Sequence, residues 1–417
     1  MTTPAIDSLI RPHWNAVFAM TLAVSALIIA DFLPAGVLTP IATDLQITEG
    51  QAGQTVTVTS FCAMLSSLLI AYVTRCWNRK TVLLILALFL SLSCVVVAWT
   101  PDFFWLLSAR VVLGFALGGF WSMLAATAMR LVPADDVPKA LAIIFGGSSF
   151  SSMLAAPLGS FLGQFWGWRT LFLMSAGVGL AALAWLWAAL PALPPTAEVR
   201  LRTLIDVLKK PLFLVGMGGL LFIFGARFAL FTYLRPFLEH QTGLAVNGVS
   251  GTLLLFGAAY FVGNGLSAGL MRKHEHLMLR TPPVLLSLIP LSLFFWGSQP
   301  IATAVIVGIW GLVFGPVPVA WSGWMARRAP EYAETAGGLY VASIQFSAAL
   351  GAISGGWIYD APGSLGGPIG LLLLCFFSWS MAAFVVNRGL RRRKWKAVMG
   401  ESPQPTTWLF CISITKR

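Results

Sequence analysis

Charged residues are scarce in this chain. Asp, Glu, Lys and Arg make up only 10% of its 417 residues, whereas hydrophobic residues make up 58%. Soluble globular domains carry about 25% charged residues, so a water-soluble core does not account for this composition. The apolar residues lie in long runs, and about 20 consecutive apolar residues cross the hydrocarbon core of a bilayer. The composition therefore predicts a polytopic membrane protein.

Catalytic and metal-binding motifs are missing from the sequence. The five cysteines show neither CxxC pairing nor the Cys/His spacing of a zinc site. There is no Walker-type phosphate loop, which argues against ATP-driven transport. The HExxH and HxE…CxxC signatures of metalloproteases and deaminases are also missing. We therefore expect no enzyme activity, no metal and no cofactor.

Acidic residues are fewer than basic ones, 15 against 27, which gives a formal net charge of +12. In a soluble protein such an excess would suggest a nucleic-acid partner. Here most Lys and Arg residues lie in short segments between apolar runs, and no basic patch with interleaved aromatic residues occurs. We therefore expect the lipid bilayer and a small solute as partners, no nucleic acid, and a monomer.

The apolar runs predict twelve transmembrane helices. The first run is longer than the core of a secretory signal and contains Asp31, so we interpret it as a retained helix. The predicted helices cover residues 14–37, 51–74, 81–99, 103–128, 138–162, 169–190, 213–235, 247–271, 281–297, 301–325, 333–358 and 366–387. The predicted organisation is an N-terminus (1–13), an N-terminal six-helix half (14–190), a central loop (191–212), a C-terminal six-helix half (213–387) and a basic tail (388–417).

The basic residues predict the orientation of these helices. All but four of the 27 Lys and Arg residues fall on one side of the predicted membrane. Of those four, Arg110 and Arg227 lie inside helices, and Arg169 and Arg235 lie on the other side. Because Lys and Arg are enriched in cytoplasmic loops, both termini, the central loop and the tail are predicted to be cytoplasmic.

A weak internal repeat relates the two halves. Trp121 and Ser122 in the fourth helix recur as Trp321 and Ser322 in the tenth, and each pair precedes a basic residue and a Pro-containing loop. Secondary transporters are commonly built from two such repeats, with the substrate site at the interface between them. The sequence therefore predicts an all-α secondary transporter with two pseudo-symmetric halves.

Three charged residues lie inside predicted helices, where charge is costly and usually functional. Asp31 is the only acidic residue of the sequence that lies deep within a predicted helix. Arg110 and Arg227 lie in the fourth and seventh predicted helices. Burial favours the neutral form of a carboxyl group and a nearby cation favours its ionised form. We predict that Asp31 couples transport to protons, with Arg110 as its partner, and that Arg227 contacts substrate. For Asp31 the structural alternatives are a static ion pair or a position near the helix end that reaches water. For the arginines the alternative is a side chain that reaches the cytoplasmic interface.

Other side chains within the helices are candidates for lining a cavity or for bending a helix. Aromatic rings stack on flat ligands, polar side chains bind their edges, and proline and glycine give bend points. Ordinary packing is the alternative for each of them. The aromatic candidates are Trp121, Trp321 and Phe231, the polar ones are Gln54, Asn264 and Gln345, and the bend points are Pro157 and Gly159.

The sequence resembles the major facilitator superfamily over about residues 10 to 390. The resemblance lies in the end of the first helix, in a helix-four motif, in a helix-five motif of the proton-antiporter branch, and in a segment similar to the arabinose-efflux-like and drug-exporter branch. These are Phe32-Leu33-Pro34 to Leu45, Arg110…Gly114…Gly118, Ala156-Pro157-Leu158-Gly159-Ser160, and Phe231-Thr232-Tyr233-Leu234-Arg235-Pro236-Phe237. The resemblance implies the twelve-helix fold, proton antiport and the bacterial inner membrane.

Within that branch, several runs are similar to those of purine ribonucleoside efflux permeases. They are Asp31 to Pro34, Leu113 to Trp121, Met129 to Pro133 and Val137 to Leu141. The resemblance implies export of inosine, guanosine or purine analogues in exchange for protons. A sugar or multidrug exporter of the same superfamily, and a non-transporting membrane sensor, are the alternatives.

The loop after the second helix departs from the superfamily pattern. Ala71, Arg75, Cys76 and Asn78 replace its Gly, Asp, Arg and Gly, and only Arg79 and Lys80 match. By resemblance, Arg79 and Lys80 would take part in conformational gating. The missing Asp puts the usual latch of this loop in question.

Overall fold

The computed structural model describes residues 12–133, 136–194, 211–328, 333–361 and 367–398, and these form helices and connecting turns without a β-strand. The central-loop residues 195–210 and the tail residues 399–417 lie outside the described residues. The helices are α1 (Trp14–Gly36), α2 (Leu38–Asp44), α3 (Glu49–Val73), α4 (Arg79–Ala98), α5 (Phe103–Leu131), α6 (Val137–Ala189), α7 (Pro211–Thr232), α8 (Leu234–His240), α9 (Val246–Trp296), α10 (Pro300–Phe314), α11 (Val317–Arg328), α12 (Ala333–Tyr359) and α13 (Gly367–Val398).

The described helices provide twelve membrane crossings. Ten helical stretches are long and apolar enough to cross a bilayer. One of them, in α6, would be about 76 Å long if it were straight, and it divides at Gly167, whose φ is +75°. Another crossing is formed by α7 and α8 together, which meet at an angle of 46°. The predicted all-α, twelve-helix architecture is confirmed.

Some helices extend beyond their predicted ends. The residues between the two crossings of α9, Val246–Ser267 and Leu277–Trp296, are helical although we expected a loop there. Helix α13 continues through the basic cluster at 391–394 as far as Val398, beyond the predicted boundary at 387. Arg, Lys and Leu are good helix formers, so the helical conformation continues where hydropathy falls.

Small residues let the helices pack closely. Helix α1 packs against α6, α3 against α5, and α12 against both α3 and α7. At these contacts, the backbone of a neighbouring helix lies against Gly36, Gly118 or Gly351, and the backbone of α6 lies against Gly257 of α9. Because lipid tails are as apolar as leucine, helix association in membranes depends on such close approach. The glycines that the sequence contributes to these helices therefore have a packing role.

Replacing Gly118 with Leu should destabilise the protein. A Cβ atom at Gly118 would lie only 2.7 Å from the carbonyl carbon of Ala63, so α3 and α5 would have to move apart. Overpacking typically costs about 1–3 kcal/mol. We expect Gly118→Leu to unfold at lower temperature in detergent, or to fail to accumulate. Gly177→Leu is the matched control, because nothing lies within 4 Å of its Cβ position. An equal loss in both variants would contradict the packing role.

Candidate functional site

The three charged residues inside the helices lie close together. The Arg110 side chain in α5 donates a hydrogen bond from Nη1 to the backbone oxygen of Ala30, at 2.9 Å. The Arg227 guanidinium in α7 lies over the ring of Phe32, with its Cζ 5.1 Å from the ring centroid. Ala30 and Phe32 flank Asp31 in α1, and both arginines interact electrostatically with the Asp31 carboxyl group. The structure thus joins residues from both halves at one site.

The charged side chains of this site do not form ion pairs with one another in the described part of the chain. Among the residues that the structure describes, Asp31 has no ion pair within 4.0 Å. Arg110 Nε and Nη2 and Arg227 Nε are buried without a hydrogen-bond partner in the described part of the chain. Buried charged donors without acceptors are costly. The site is therefore arranged to receive an acceptor group.

Arg227 lies in a box of aromatic rings. Its Cζ lies 4.6 Å from the ring centroid of Phe228, 5.1 Å from that of Phe231 and 5.4 Å from that of Phe314, in addition to Phe32. The faces of aromatic rings attract cations, and this attraction helps to hold a guanidinium away from water. The rings therefore position Arg227 without satisfying its hydrogen-bond donors.

Further aromatic residues extend the box, and sequence reasoning missed most of them. Tyr260 stacks on Phe314 at 6.4 Å and interacts electrostatically with Arg227. Phe256 contacts both Phe231 and Trp310, at 5.2 and 4.6 Å between ring centroids. The available signal was the spacing of four residues within the pairs 256/260 and 310/314, which places each pair on one face of its helix.

Only part of this site is accessible. Phe228, Phe231 and Phe314 are buried, and Arg227 keeps 6% of its surface. Asp31, Phe32 and Tyr260 lie deep among the helices and are nevertheless only half-buried. These three side chains therefore form the face that a ligand can reach, and the predicted stacking residue Phe231 supports Phe32 from behind, edge-on at 5.6 Å.

The two halves are joined at the end of the bundle where α3 begins. The Asp360 carboxylate, after α12, accepts hydrogen bonds from Thr48 Oγ1 and, at 3.0 Å, from the backbone N–H of Gly50. Tyr233 donates its hydroxyl hydrogen toward the carbonyl groups of Ala352 and Gly50, at 3.1 and 3.4 Å. We call these groups, Thr48, Gly50, Tyr233 and Asp360, the interhalf closure. A carboxylate at a helix N-terminus is favourable because it meets unpaired N–H groups and the positive end of the helix dipole.

Arg235 reinforces this end of the bundle. It lies in α8, bonds to the Gly36 carbonyl oxygen of the other half, and forms an ion pair with Glu239 at 2.8 Å. Ser250 and Ser160 also bridge the halves, 3.0 Å apart. Arg235 is buried to 4% exposure, although the sequence placed it at the end of the predicted helix 213–235, at the membrane surface.

Comparison with known proteins decides the family. The family model described as Major Facilitator Superfamily matches residues 16–352. This chain belongs to the major facilitator superfamily. It is 43% identical over 373 residues to the purine ribonucleoside efflux pump NepI of Salmonella paratyphi B, covering 88% of this chain and 94% of the relative. It is 44% identical over 359 residues to the pump of the same name from Salmonella enteritidis PT4, covering 86% and 90%.

The fold agrees with solved members of the superfamily. A crystal structure of a D-xylose–proton symporter matches with a TM-score of 0.76 at 14% identity, covering 89% of this chain and 97% of that one. The resemblance stated from the sequence motifs is confirmed. The protein is thus a multi-pass membrane transporter of the major facilitator superfamily.

The superfamily loop residues Arg79 and Lys80 bind the end of α6 in this transporter. The N–H of Arg79 bonds to the Leu193 carbonyl oxygen at 2.9 Å, and Lys80 Nζ bonds to the Leu190 carbonyl oxygen at 2.7 Å. Asn78, which stands where the pattern has Gly, accepts from the N–H groups of Lys80 and Leu193. The altered loop therefore holds the start of the central loop, and its predicted gating role stays a prediction.

The predicted bend points of the proton-antiporter motif lie against α1. Gly159 faces Leu33, and the backbone of neighbouring Ala156 lies against Gly36. Pro157 lies inside α6, whose non-helical φ and ψ angles occur ten residues later at Gly167. Their role in bending during transport stays a prediction.

The predicted tryptophans lie apart from each other. Trp121 is half-buried in α5 and packs against Phe145 of α6, with 5.8 Å between ring centroids. Eleven residues separate it from Arg110, which is about 16 Å along a helix. Trp321 is buried to 3% exposure, 5.7 Å from Trp324, and packs against Gly219 of α7. The sequence repeat therefore does not give the two residues equivalent surroundings.

The polar candidates lie at contacts between helices. Asn264 donates a hydrogen bond to Ser149 of the other half at 2.9 Å. Gln54 lies beside Gly356, next to the interhalf closure. Gln345 is buried in α12, two residues from Ser347, whose backbone faces Gly225 near Arg227. Their substrate contacts stay predictions.

Proposed function

We propose that this transporter is a proton-coupled antiporter that exports purine ribonucleosides, such as inosine and guanosine, and purine analogues. It acts in the bacterial inner membrane, as a monomer, with both termini in the cytoplasm. The observation that carries the proposal is the site in which Arg110 and Arg227 bracket Asp31 beside the accessible rings of Phe32 and Tyr260. The similarity to efflux pumps of that name over almost their whole length supports the substrate class.

The chemistry of the site suits proton exchange. Burial favours a protonated Asp31 and the arginines favour an ionised one, so small movements of Arg110 relative to α1 change which form is stable. In alternating access, the site opens to each side in turn. Asp31 binds a proton from the periplasm and releases it when the site faces the cytoplasm.

Each remaining residue has a part in this proposal. Phe32 and Tyr260 contact the base, with Phe231 behind Phe32, because stacking a base on an aromatic ring contributes about 1–3 kcal/mol. Trp121, nearer the cytoplasmic end of α5, meets the substrate on its way to the site. Gln54, Asn264, Gln345 and Trp321 line or support the path, and Pro157 and Gly159 allow α6 to bend.

Labelled inosine in inverted membrane vesicles tests the function. Vesicles with an acidic interior should accumulate inosine only when they contain the protein, and cells that overproduce it should resist toxic purine nucleoside analogues. Export of sugars or dyes without inosine transport would contradict this proposal and support the alternative, a sugar or multidrug exporter. Transport of no solute would favour a sensor.

In this orientation α1 crosses from the cytoplasm to the periplasm, so α3, the next crossing, begins on the periplasmic side. The interhalf closure, at the start of α3, therefore faces the periplasm. Asp360→Ala should open that side more often, since each hydrogen bond to a charged group contributes about 1.5–3 kcal/mol. Gln54→Cys in a cysteine-free background reports the opening. We expect an impermeant thiol reagent added from the periplasm to label Cys at this position about tenfold faster in Asp360→Ala.

Asp102→Ala is the matched control for this experiment. Asp102 also accepts a hydrogen bond at a helix N-terminus, from the Trp105 N–H at 3.0 Å, but within one half. Its removal should leave labelling unchanged. Equal labelling in all three backgrounds would show that the closure does not restrain the periplasmic side.

A further inference from the structure

The N–H donors of Arg227 have few hydrogen-bond acceptors near them among the described residues. Its Nε is buried without a partner among the described residues, and its guanidinium is enclosed by four aromatic rings. A guanidinium carries five N–H donors in a rigid fork and no acceptor. A ligand group that binds it must therefore present acceptors.

The charged groups around Arg227 also favour a ligand that presents acceptors, because positive charges outnumber negative ones there. Among the residues that the structure describes, Arg110 and Arg227 share the field of one carboxyl group, that of Asp31. The site then holds two cations with one anion, and two cations with none when Asp31 is protonated. Groups rich in acceptor oxygen and nitrogen are favoured there, and groups that present N–H donors are disfavoured.

The accessible rings select a flat ligand. Phe32 of α1 and Tyr260 of α9 are half-buried. The Arg227 guanidinium lies over the Phe32 ring and interacts electrostatically with Tyr260. Because the guanidinium already lies over the Phe32 ring, we infer that a planar base stacks on Tyr260 and presents its edge, rather than its face, to the guanidinium. The edge that faces Arg227 therefore decides the affinity.

Purine bases differ at that edge. A 6-oxopurine presents two acceptors, O6 and N7, which match the fork of an arginine. A 6-aminopurine presents N7 beside an amino group that donates, so an N–H of the base would face an N–H of the arginine. A buried donor left unpaired lowers affinity.

We propose that Arg227 binds the O6/N7 edge of the base and makes this transporter prefer 6-oxopurine nucleosides to 6-aminopurine nucleosides. The proposal rests on the proposed function, since it takes a purine nucleoside as the substrate. Arg227 is the specificity-determining residue, and Phe228 and Phe314 hold its guanidinium in place.

Binding to the purified protein tests the preference. We measure the affinities of inosine, adenosine and 7-deazainosine, which lacks the N7 acceptor, by isothermal titration calorimetry. We expect the unaltered protein to bind inosine about tenfold more tightly than adenosine, and also more tightly than 7-deazainosine. This comparison needs no variant, so it stands even if a substitution at Arg227 prevents folding.

Arg227→Gln provides the converse test. A glutamine amide offers one donor and one acceptor, the arrangement that pairs with adenine at N6 and N7. The variant should lose or reverse the preference for inosine, mainly by weakening inosine binding. Arg130→Gln at the far end of α5, where Arg130 bonds to the Pro194 carbonyl oxygen, should keep the preference of the unaltered protein.

Equal affinities for inosine, adenosine and 7-deazainosine in the unaltered protein would overturn the role of Arg227 and leave the proposed function standing. An unchanged preference in folded Arg227→Gln would also overturn it. Failure of every purine nucleoside to bind would instead remove the proposed function on which this inference rests.

Discussion

Asp31→Asn should abolish accumulation of inosine driven by a pH gradient. Asparagine has nearly the shape of the protonated carboxyl group but cannot release a proton. Among the described residues, Asp31 is the carboxyl group that both buried arginines influence, and no second acid is placed to replace it there. We expect accumulation to fall to the level of vesicles without the protein, while exchange of labelled for unlabelled inosine across the membrane continues.

Two further variants serve as comparisons for Asp31→Asn, a conservative substitution and a control. Asp31→Glu keeps a titratable group and should retain part of the accumulation, with a changed dependence on pH. Asp102→Asn removes a carboxylate that caps α5, and asparagine is as good a cap, so transport should be normal. If Asp31→Asn still transports inosine uphill with ordinary pH dependence, Asp31 does not couple protons and is only a structural partner of the arginines.

Arg110→Met should reduce pH-driven transport about tenfold, because a change of about 1.4 kcal/mol in the free energy of protonating Asp31 changes that equilibrium about tenfold. Arg110 is buried to 1% exposure, bonds to the Ala30 carbonyl oxygen and lies over the Phe172 ring at 5.1 Å. Methionine keeps the apolar stem and removes the charge. Without that cation, Asp31 should hold its proton on both sides of the membrane.

The pH dependence of transport separates this role from a purely structural one. Arg110→Lys keeps the charge but loses the planar fork, so it should restore part of the rate. In Arg110→Met, transport should recover as the pH on the cytoplasmic side rises, because an alkaline compartment removes the proton from Asp31. A loss of rate that no pH relieves would indicate that Arg110 only holds α1 against α5. Arg130→Met, at the end of the same helix, should transport normally.

The sequence predicts those parts of the molecule that depend on local composition. Apolar runs give the crossings, and Asp31, Arg110 and Arg227 are conspicuous because each interrupts such a run. The superfamily motifs then supply the fold. The break predicted between residues 162 and 169 contains Gly167, where α6 divides. The helical connection between the two crossings of α9 was harder to predict, because its polar residues suggested a loop.

The contacts between distant segments could not be predicted in this way. Asp360 and Gly50 are 310 residues apart in the chain, and no local pattern pairs them. The aromatic box combines Phe32 with residues of α7, α9 and α10, so its members look like ordinary membrane-facing aromatics until the helices are packed. The same reason explains Trp321, whose repeat position suggested a cavity although it packs against Gly219.

Movement of protons driven by nucleoside alone tests the central claim most directly. Purified protein is reconstituted into liposomes that contain a pH-sensitive dye, and an inosine gradient is imposed without a pH gradient. We expect inosine entry to drive protons out, so the lumen becomes alkaline, with no such change for Asp31→Asn or for liposomes without protein. Inosine entry at the normal rate without any change of luminal pH would contradict proton-coupled antiport through Asp31.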